Sequence, residues 1–216
     1  MSHPSCALGI FAKTPQAGQV KTRLCPPLTP EQAAEFYTLS VKETIARCRR
    51  GPWQTVVFFS GDADFFCGHF PDLPRRPQQG ANLGDRMEHA LRTLLEEHAA
   101  AALIGTDTPD LPLPLLTQAF ESLQQHEAVI APSMDGGYVL IGERRHHPQL
   151  FRDIEWSTPQ VLPETRAIAR ELQITLDELP TWEDVDDIDD LRRLFERSPD
   201  SAAARWAHKI LTPDAG

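Results

Sequence analysis

The chain has 216 residues, 41% of them hydrophobic and 24% charged, with a formal net charge of −10. That length fits one domain over residues 1–216 that buries its core without staples. The acidic balance excludes general nucleic-acid binding, which needs a basic face. Apolar runs then alternate with helical patterns. Residues 6–12, CALGIFA, read as a buried strand followed by a loop with two breakers, Pro15 and Gly18. Thr29 and Pro30 have the N-cap and first-turn chemistry that starts a helix running to about Arg50. Residues 54–60 form the next strand, GDADFFCGHF a short helix, and PDLPRRPQQG an irregular connection. Asn82 caps a helix from Leu83 to about Ala99, whose apolar side carries Met87, Leu91, Leu94 and Leu95.

Residues 101–105 are a third strand, followed by TDTPDLP and a helix over roughly 113–125. Strands at 128–133 and 137–142 are joined by a turn at Met134-Asp135-Gly136. A helix near 158–172, a strand in ITLDEL, a helix at 187–197 and an alanine-rich helix at 202–210 complete the pattern. Strands alternating with helices predict an α/β layer with a mostly parallel sheet. No window approaches the ~20 apolar residues of a membrane span, and residues 1–11 lack the form of a signal peptide. Four cysteines about twenty residues apart give neither a zinc pattern nor a disulfide framework. Buried thiols in a reducing cytoplasm are the expectation.

Charge is unevenly spread. Residues 1–50 hold seven Lys and Arg against three Asp and Glu, while residues 177–200 hold ten acids against three Arg. Opposite poles suit a site joining an anion to a metal cation. Lys13, Lys21 and Arg23, the first three charged residues, surround a conformationally permissive loop behind the first strand. The spacing does not match GxxxxGK[ST], so a P-loop is excluded, but these cations can clamp phosphate oxygens. Asp107 comes directly off a buried strand, where a carboxylate calls for a cation or a partner. It either ligates Mg²⁺ with substrate phosphates or caps the next turn. Asp135-Gly136-Gly137 is either a turn needing positive φ or a place where a ligand approaches backbone closely. In WEDVDDIDDL, helix-start chemistry explains some acids but not six in eight residues from Glu183. Because ligands bind beyond the carboxyl ends of strands in such sheets, the three polar loops are expected on one rim.

In order and spacing, FAKTPQAGQVKTRL, QQGANLGDRM, LIGTDTPDLP, VIAPSMDGGYVLIG, IEWST and WEDVDDIDDL resemble the bacterial DUF2064 family of glycosyltransferase-A (GT-A) type proteins. That family lies in the nucleotide-diphospho-sugar transferase superfamily, and the likeness covers about residues 6–195. The basic loop is also similar to that of 2-phospholactate guanylyltransferases. The resemblance implies a Rossmann-like GT-A fold, helices on both faces of its sheet, binding a nucleoside diphosphate sugar or nucleoside triphosphate with Mg²⁺ or Mn²⁺. It implies phosphate or nucleotide contacts from Lys13, Lys21, Arg23, Gln79, Gly84 and Arg86, and metal ligands at Asp107 and Asp186. A small-molecule acceptor would face Gly136, Gly137 and Tyr138, with Asp135 and Lys21 as the residues closest to catalysis. Two positions depart from the pattern. Pro109 takes the place of the second aspartate of Asp-x-Asp, and Asp187 stands where relatives carry threonine. Glycosyl transfer is the expected activity, nucleotidyl transfer with release of pyrophosphate the alternative, and a non-catalytic nucleotide-binding module the third reading.

Overall fold

The computed structural model describes residues 5–212. The strands are β1 (Cys6–Lys13), β2 (Gln54–Ser60), β3 (Arg75–Pro77), β4 (Ala100–Ile104), β5 (Ala128–Pro132), β6 (Tyr138–Glu143) and β7 (Leu176–Glu178). They form one sheet in the order β3-β2-β1-β4-β6-β5-β7. β6 runs antiparallel to β4 and β5, and the remaining pairings are parallel. The α/β, Rossmann-like expectation therefore holds. The turn at 133–137 is a hairpin, closed by the Ser133 N–H on the Gly137 carbonyl at 3.0 Å. That hairpin is why one strand reverses and inserts between β4 and β5.

The described residues form seven α-helices, α1 (Pro30–Cys48), α2 (Ala63–His69), α3 (Leu83–Leu95), α4 (Leu113–Ser122), α5 (Val161–Glu171), α6 (Ile188–Arg197) and α7 (Ala202–Leu211), the first five against the sheet and the last two against α1. Strand alternation divides the core. Leu8, Ile10, Ala12, Ala102 and Ile104 meet α1, α2 and α4 on one face. Ala7, Ala101 and Leu103 meet α3 and α5 on the other. A third cluster joins Ala33 and Phe36 of α1 to Leu191 and Leu194 of α6 and to Ala203, Ala204 and Ala207 of α7. Leu24 and Val185, both fully buried, also belong to it. One comes from the basic loop and the other from the acidic stretch, so this cluster anchors both segments.

Local chemistry explains most boundaries. Thr29 and Gln32 form a capping box at the start of α1. Asn82 accepts the Asp85 N–H at the start of α3. Two boundaries differ from the sequence expectation. The 71–80 stretch contains a three-residue strand, β3, recruited by pairing with Val57–Phe59 of β2. α3 ends at Leu95 because the next alanines are drawn into the sheet, where the Ala99 N–H donates to the Ser5 carbonyl at 2.9 Å. Tertiary pairing overrides alanine's helix preference there.

At the end of β6, opposite its hairpin, His146 bridges the fully buried Glu143 at 3.1 Å and Glu88 of α3 at 2.8 Å. Glu88 also pairs with Arg92, the His147 N–H donates to Glu143, and His147 lies 3.8 Å from Glu127, beside Arg145. The hydrogen bond to Glu143 raises the imidazole's pKa, burial opposes the rise, and Glu88 adds to it. A raised folded-state value means that this clamp stabilises fully below the unfolded value of about 6.5. The contribution is lost as pH climbs through the folded value. In wild type, the melting temperature is therefore expected to include a decline between about pH 6 and 8 that His146→Gln removes. Parallel melting curves for both proteins across that range would dismiss the clamp.

Candidate functional site

The carboxyl ends of β1, β4 and β5 point to one rim. α1 fixes two of the loops that leave it. The Tyr37 hydroxyl accepts from the Lys13 N–H at 3.0 Å and from the Thr106 hydroxyl at 2.9 Å. One turn on, Ser40 donates to the Thr106 carbonyl. Two hydroxyls at i and i+3 on one helix face thus hold the ends of β1 and β4 in fixed relation.

The acidic stretch reaches the same place by backbone pairing. The Trp182 N–H bonds the Pro132 carbonyl at 3.0 Å, and the Val185 N–H bonds the Asp107 carbonyl at 2.9 Å. Val185 is buried, and the flanking aspartates stay near the rim. Asp187 and Asp190 form the capping box of α6, and Asp190 also accepts the Asp186 N–H at 2.8 Å. The acids of this run therefore divide into helix-start groups and rim groups.

Lys21 lies where these segments meet. Its side chain is only 5% exposed, and its ammonium contacts Asp107, Asp186 at 3.0 Å and the Val185 carbonyl at 2.6 Å. Burial pulls its pKa down, but Asp107 and then Asp186 outweigh this and raise it. Arg23, 74% exposed, touches the other oxygen of Asp186 at 3.3 Å. Asp107 and Asp186, far apart in sequence, share one cation. Asp184 is a further rim acid. Burial and the charges of Asp186 and Asp135 push its carboxyl up to about 6.

Two adjoining cavities open here. One, of about 270 Å³, is lined by Lys13, Lys21, Arg23, Tyr37, Asp107 and Asp186, among others. The second, about 420 Å³, is more apolar, with Phe11, Leu83, Met87 and Val139 beside Gln78, Arg86 and Tyr138. Lys13, Tyr37 and Asp107 line both, so the cavities adjoin along these three side chains.

Of the residues expected from sequence, Lys13, Lys21, Arg23, Arg86, Asp107, Tyr138 and Asp186 line this double cavity. Gln79 is exposed, and its neighbour Gln78 lines the cleft instead, its amide donating to the Phe58 carbonyl at 3.0 Å. Gly84 is buried in the first turn of α3, where a Cβ would lie 2.4 Å from Trp156 Nε1. Its visible role is close packing. Asp135, Gly136 and Gly137 form the hairpin turn. Asp135 accepts from the Ser133 hydroxyl and from the Gly137 N–H at 3.0 Å. Gly136 has φ +90°, and a Cβ there would lie 2.6 Å from the Pro159 carbonyl oxygen. These three residues are beside the cavities rather than in their walls.

Sequence reading missed Tyr37, Gln78, Asp184 and Ser157, the last a cleft-lining residue with φ 66°. Asp184 had a usable signal in the pattern Asp-Val-Asp, one apolar residue between two acids outside a helix.

The donor set bears on whether a divalent cation fits. Among the described residues, no group of three or more His, Cys, Asp and Glu is placed to hold a metal ion. Two carboxylates converging on one cation position do match Mg²⁺ or Mn²⁺, which take one or two carboxylates and complete their shell with phosphates and water. Asp107 and Asp186 fit that form. No helix among the described residues is long and apolar enough to cross a membrane.

Comparison with solved structures places this rim among similar folds. A provisionally assigned nucleotide-diphospho-sugar transferase from Desulfovibrio desulfuricans G20 superposes with a TM-score of 0.89 at 30% identity, covering 95% of this chain and 94% of that one. A cytidylyltransferase from Leptospira borgpetersenii matches with a TM-score of 0.61 at 13% identity, over 97% and 94% of the two chains. Rv0371c from Mycobacterium tuberculosis H37Rv, in complex with manganese, matches with a TM-score of 0.55 at 15% identity, over 88% and 98%. At those lower identities the likeness is one of fold. No curated protein matches the sequence. The model of a family described as uncharacterized proteins conserved in bacteria, DUF2064, matches residues 44–158, a segment that includes Asp107 and lies between the basic loop and the acidic stretch. With half the sequence under that model, the chain belongs to the DUF2064 family.

Proposed function

We propose that this protein is a transferase using a nucleotide-activated donor, and that it moves a sugar from a nucleoside diphosphate sugar to a small-molecule acceptor. The observation that carries this reading is the adjacency of the two cavities. A charged basin, with three cations facing two carboxylates, shares Lys13, Tyr37 and Asp107 with a more apolar cleft beside it. A nucleoside diphosphate has the same polarity, with anionic charge at one end and a flat ring at the other. The 30% identical relative, itself assigned to the nucleotide-diphospho-sugar transferases, supports the reading.

In this arrangement Arg23 presents its fork, and Lys13 and Lys21 present point charges, to the phosphate oxygens. Phe11, Leu83 and Met87 cover the nucleoside, and Arg86 and Gln78 supply polar contacts along it. Gln79 and the Gly84 turn support that side from outside the wall. Asp107 and Asp186 hold Mg²⁺ or Mn²⁺, which when bound supplies Lewis-acid stabilisation of the charge growing on the departing diphosphate. Tyr37 and Ser40 keep the two loops preorganised, so little rearrangement is needed as that charge develops. The Asp135–Gly137 turn and Tyr138 form the acceptor side, with Asp135 orienting the acceptor. The whole chain acts as one domain, in the cytoplasm.

A second reading, nucleotidyl transfer from a nucleoside triphosphate, draws on the same rim and on the cytidylyltransferase among the similar folds. Incubating the protein with candidate donors, acceptors and Mg²⁺ or Mn²⁺ separates the readings. Free nucleoside diphosphate is the expected product, pyrophosphate would establish nucleotidyl transfer, and nucleotide binding with neither product would establish a binding module.

A further inference from the structure

Lys21 is an unusual member of a phosphate-binding loop because it is not in the solvent. Its ammonium has three N–H groups, and three oxygen acceptors meet them: one each from Asp107 and Asp186, and the Val185 carbonyl. The backbone is committed to this placement as well. Lys21 has φ 49° and ψ 39°, a left-handed conformation that a residue with a side chain holds only when its surroundings demand it. Leu24, buried in the third core cluster, anchors the chain just beyond. Just before it, Gly18 has φ +74°, and a Cβ there would meet nothing within 4 Å, so space lies open beside the loop on that side.

The position Lys21 occupies is the one shared by the two carboxylates that would grip a divalent ion. An ammonium and a divalent cation cannot both sit there, because each would lie within a few ångströms of a like charge and both would compete for the same oxygens. We propose that Lys21 is a tethered counter-ion: it holds the position between Asp107 and Asp186 until a divalent metal displaces it, and the displaced ammonium then turns into the adjoining basin beside Lys13 and Arg23. This proposal rests on reading the rim as a metal–nucleotide site. It adds that metal arrival and delivery of the third cation to the phosphates are a single exchange. Metal and nucleotide should then bind with positive coupling, since each provides what the other's arrival displaces or requires.

The test uses the full chain and Mn²⁺ alone, titrated by calorimetry and by the electron paramagnetic resonance signal of free Mn²⁺. Lys21→Met and Lys21→Gln are expected to bind Mn²⁺ at least about tenfold more tightly than wild type (~1.4 kcal/mol). The glutamine variant keeps a donor for the Val185 carbonyl, so the comparison survives if the methionine variant does not fold. Arg23→Gln removes an equal charge from the exposed side of the basin and is expected to change Mn²⁺ affinity by less than about threefold. Equal or weaker Mn²⁺ binding in a folded Lys21 variant overturns the exchange, as does a tenfold gain in Arg23→Gln. No nucleotide is present in these titrations, and nucleotide binding is measured separately on the same proteins, so the outcomes remain separable. Nucleotide binding with unchanged Mn²⁺ affinity sinks the exchange alone, and tighter Mn²⁺ binding by a protein that binds no nucleotide sinks the reading of the rim alone.

Discussion

Asp110→Ala is expected to lower stability by about 3 kcal/mol, the lower end of the range for breaking a buried ion pair by removing one partner. The Asp110 side chain is 1% exposed and receives Arg197 Nε at 2.7 Å and Nη2 at 3.2 Å. Ser198 donates to it at 2.9 Å and Trp182 at 3.4 Å. Removal strands a guanidinium that is 21% exposed, although Glu183 still holds it at 2.8 Å, which is why the lower end applies. For a protein of this size the loss corresponds to a fall in melting temperature of roughly 6–12 °C. Asp110 follows Asp107 by three residues, and its partners flank the acidic stretch. The same variant is therefore expected to weaken nucleotide binding without touching the cavities. A double-mutant cycle with Arg197→Ala should give a coupling above about 1 kcal/mol. A melting temperature within about 2 °C of wild type would show that the acidic stretch is held by its backbone pairing and by the core around Val185 alone.

How far the sequence discloses such a site depends on the range of the interactions that build it. The Thr29-Pro30 start of α1 and the Asn82 cap of α3 are local, and both are present as read. The strands other than β3 were legible because strand alternation and burial leave a pattern within six or seven residues. The place of β6 was not, since an apolar run carries no direction; only the short Asp135–Gly137 connection marked it as the partner of β5. Lys21 is the clearest case of a non-local cause. In the sequence it belongs to a polar loop, which ordinarily means a solvated side chain, yet its partner Asp186 stands 165 residues away. Nothing near Lys21 announces that contact. Among the clustered acids, helix-start chemistry accounted for part of the run and the resemblance picked out Asp186, but that Asp184 also belongs to the rim emerges only from the tertiary pairing of Val185 with Asp107. Gln79 and Gln78 divide for a similar reason, because β3 exists only through β2, and the Gln78 N–H on the Phe59 carbonyl at 2.8 Å sets which glutamine faces the cleft.

Asp107→Asn is expected to have the largest effect on ligand binding. The substitution preserves size and hydrogen-bonding capacity and removes the charge from the strand-end position. The side chain is 48% exposed, and the asparagine oxygen together with Asp186 still meets the buried Lys21 ammonium, so the fold should persist with a lowered melting temperature. Metal-dependent nucleotide affinity should fall, by several kcal/mol at most, the scale of a Lewis-acid metal's contribution. The acids of the 183–190 stretch provide internal controls. Asp186→Asn removes the second converging carboxylate and should shrink the rise in melting temperature that Mg²⁺ or Mn²⁺ produces by binding the native state. Asp190→Asn disturbs the α6 capping box and the bond to the Asp186 N–H, so it should lower stability by an amount typical of a cap, about 1 kcal/mol, with a corresponding fall in melting temperature. The metal-induced increment should remain. If Asp107→Asn keeps wild-type dependence on divalent cations, Asp107 serves Lys21 as a partner and the metal is held elsewhere. If Asp190→Asn loses the increment as fully as Asp186→Asn, the two acids act on the rim together and the division between helix-start and rim groups fails. Loss in Asp107 and Asp186 alone would tie the cation to the one position where β4, the basic loop and the acidic stretch converge.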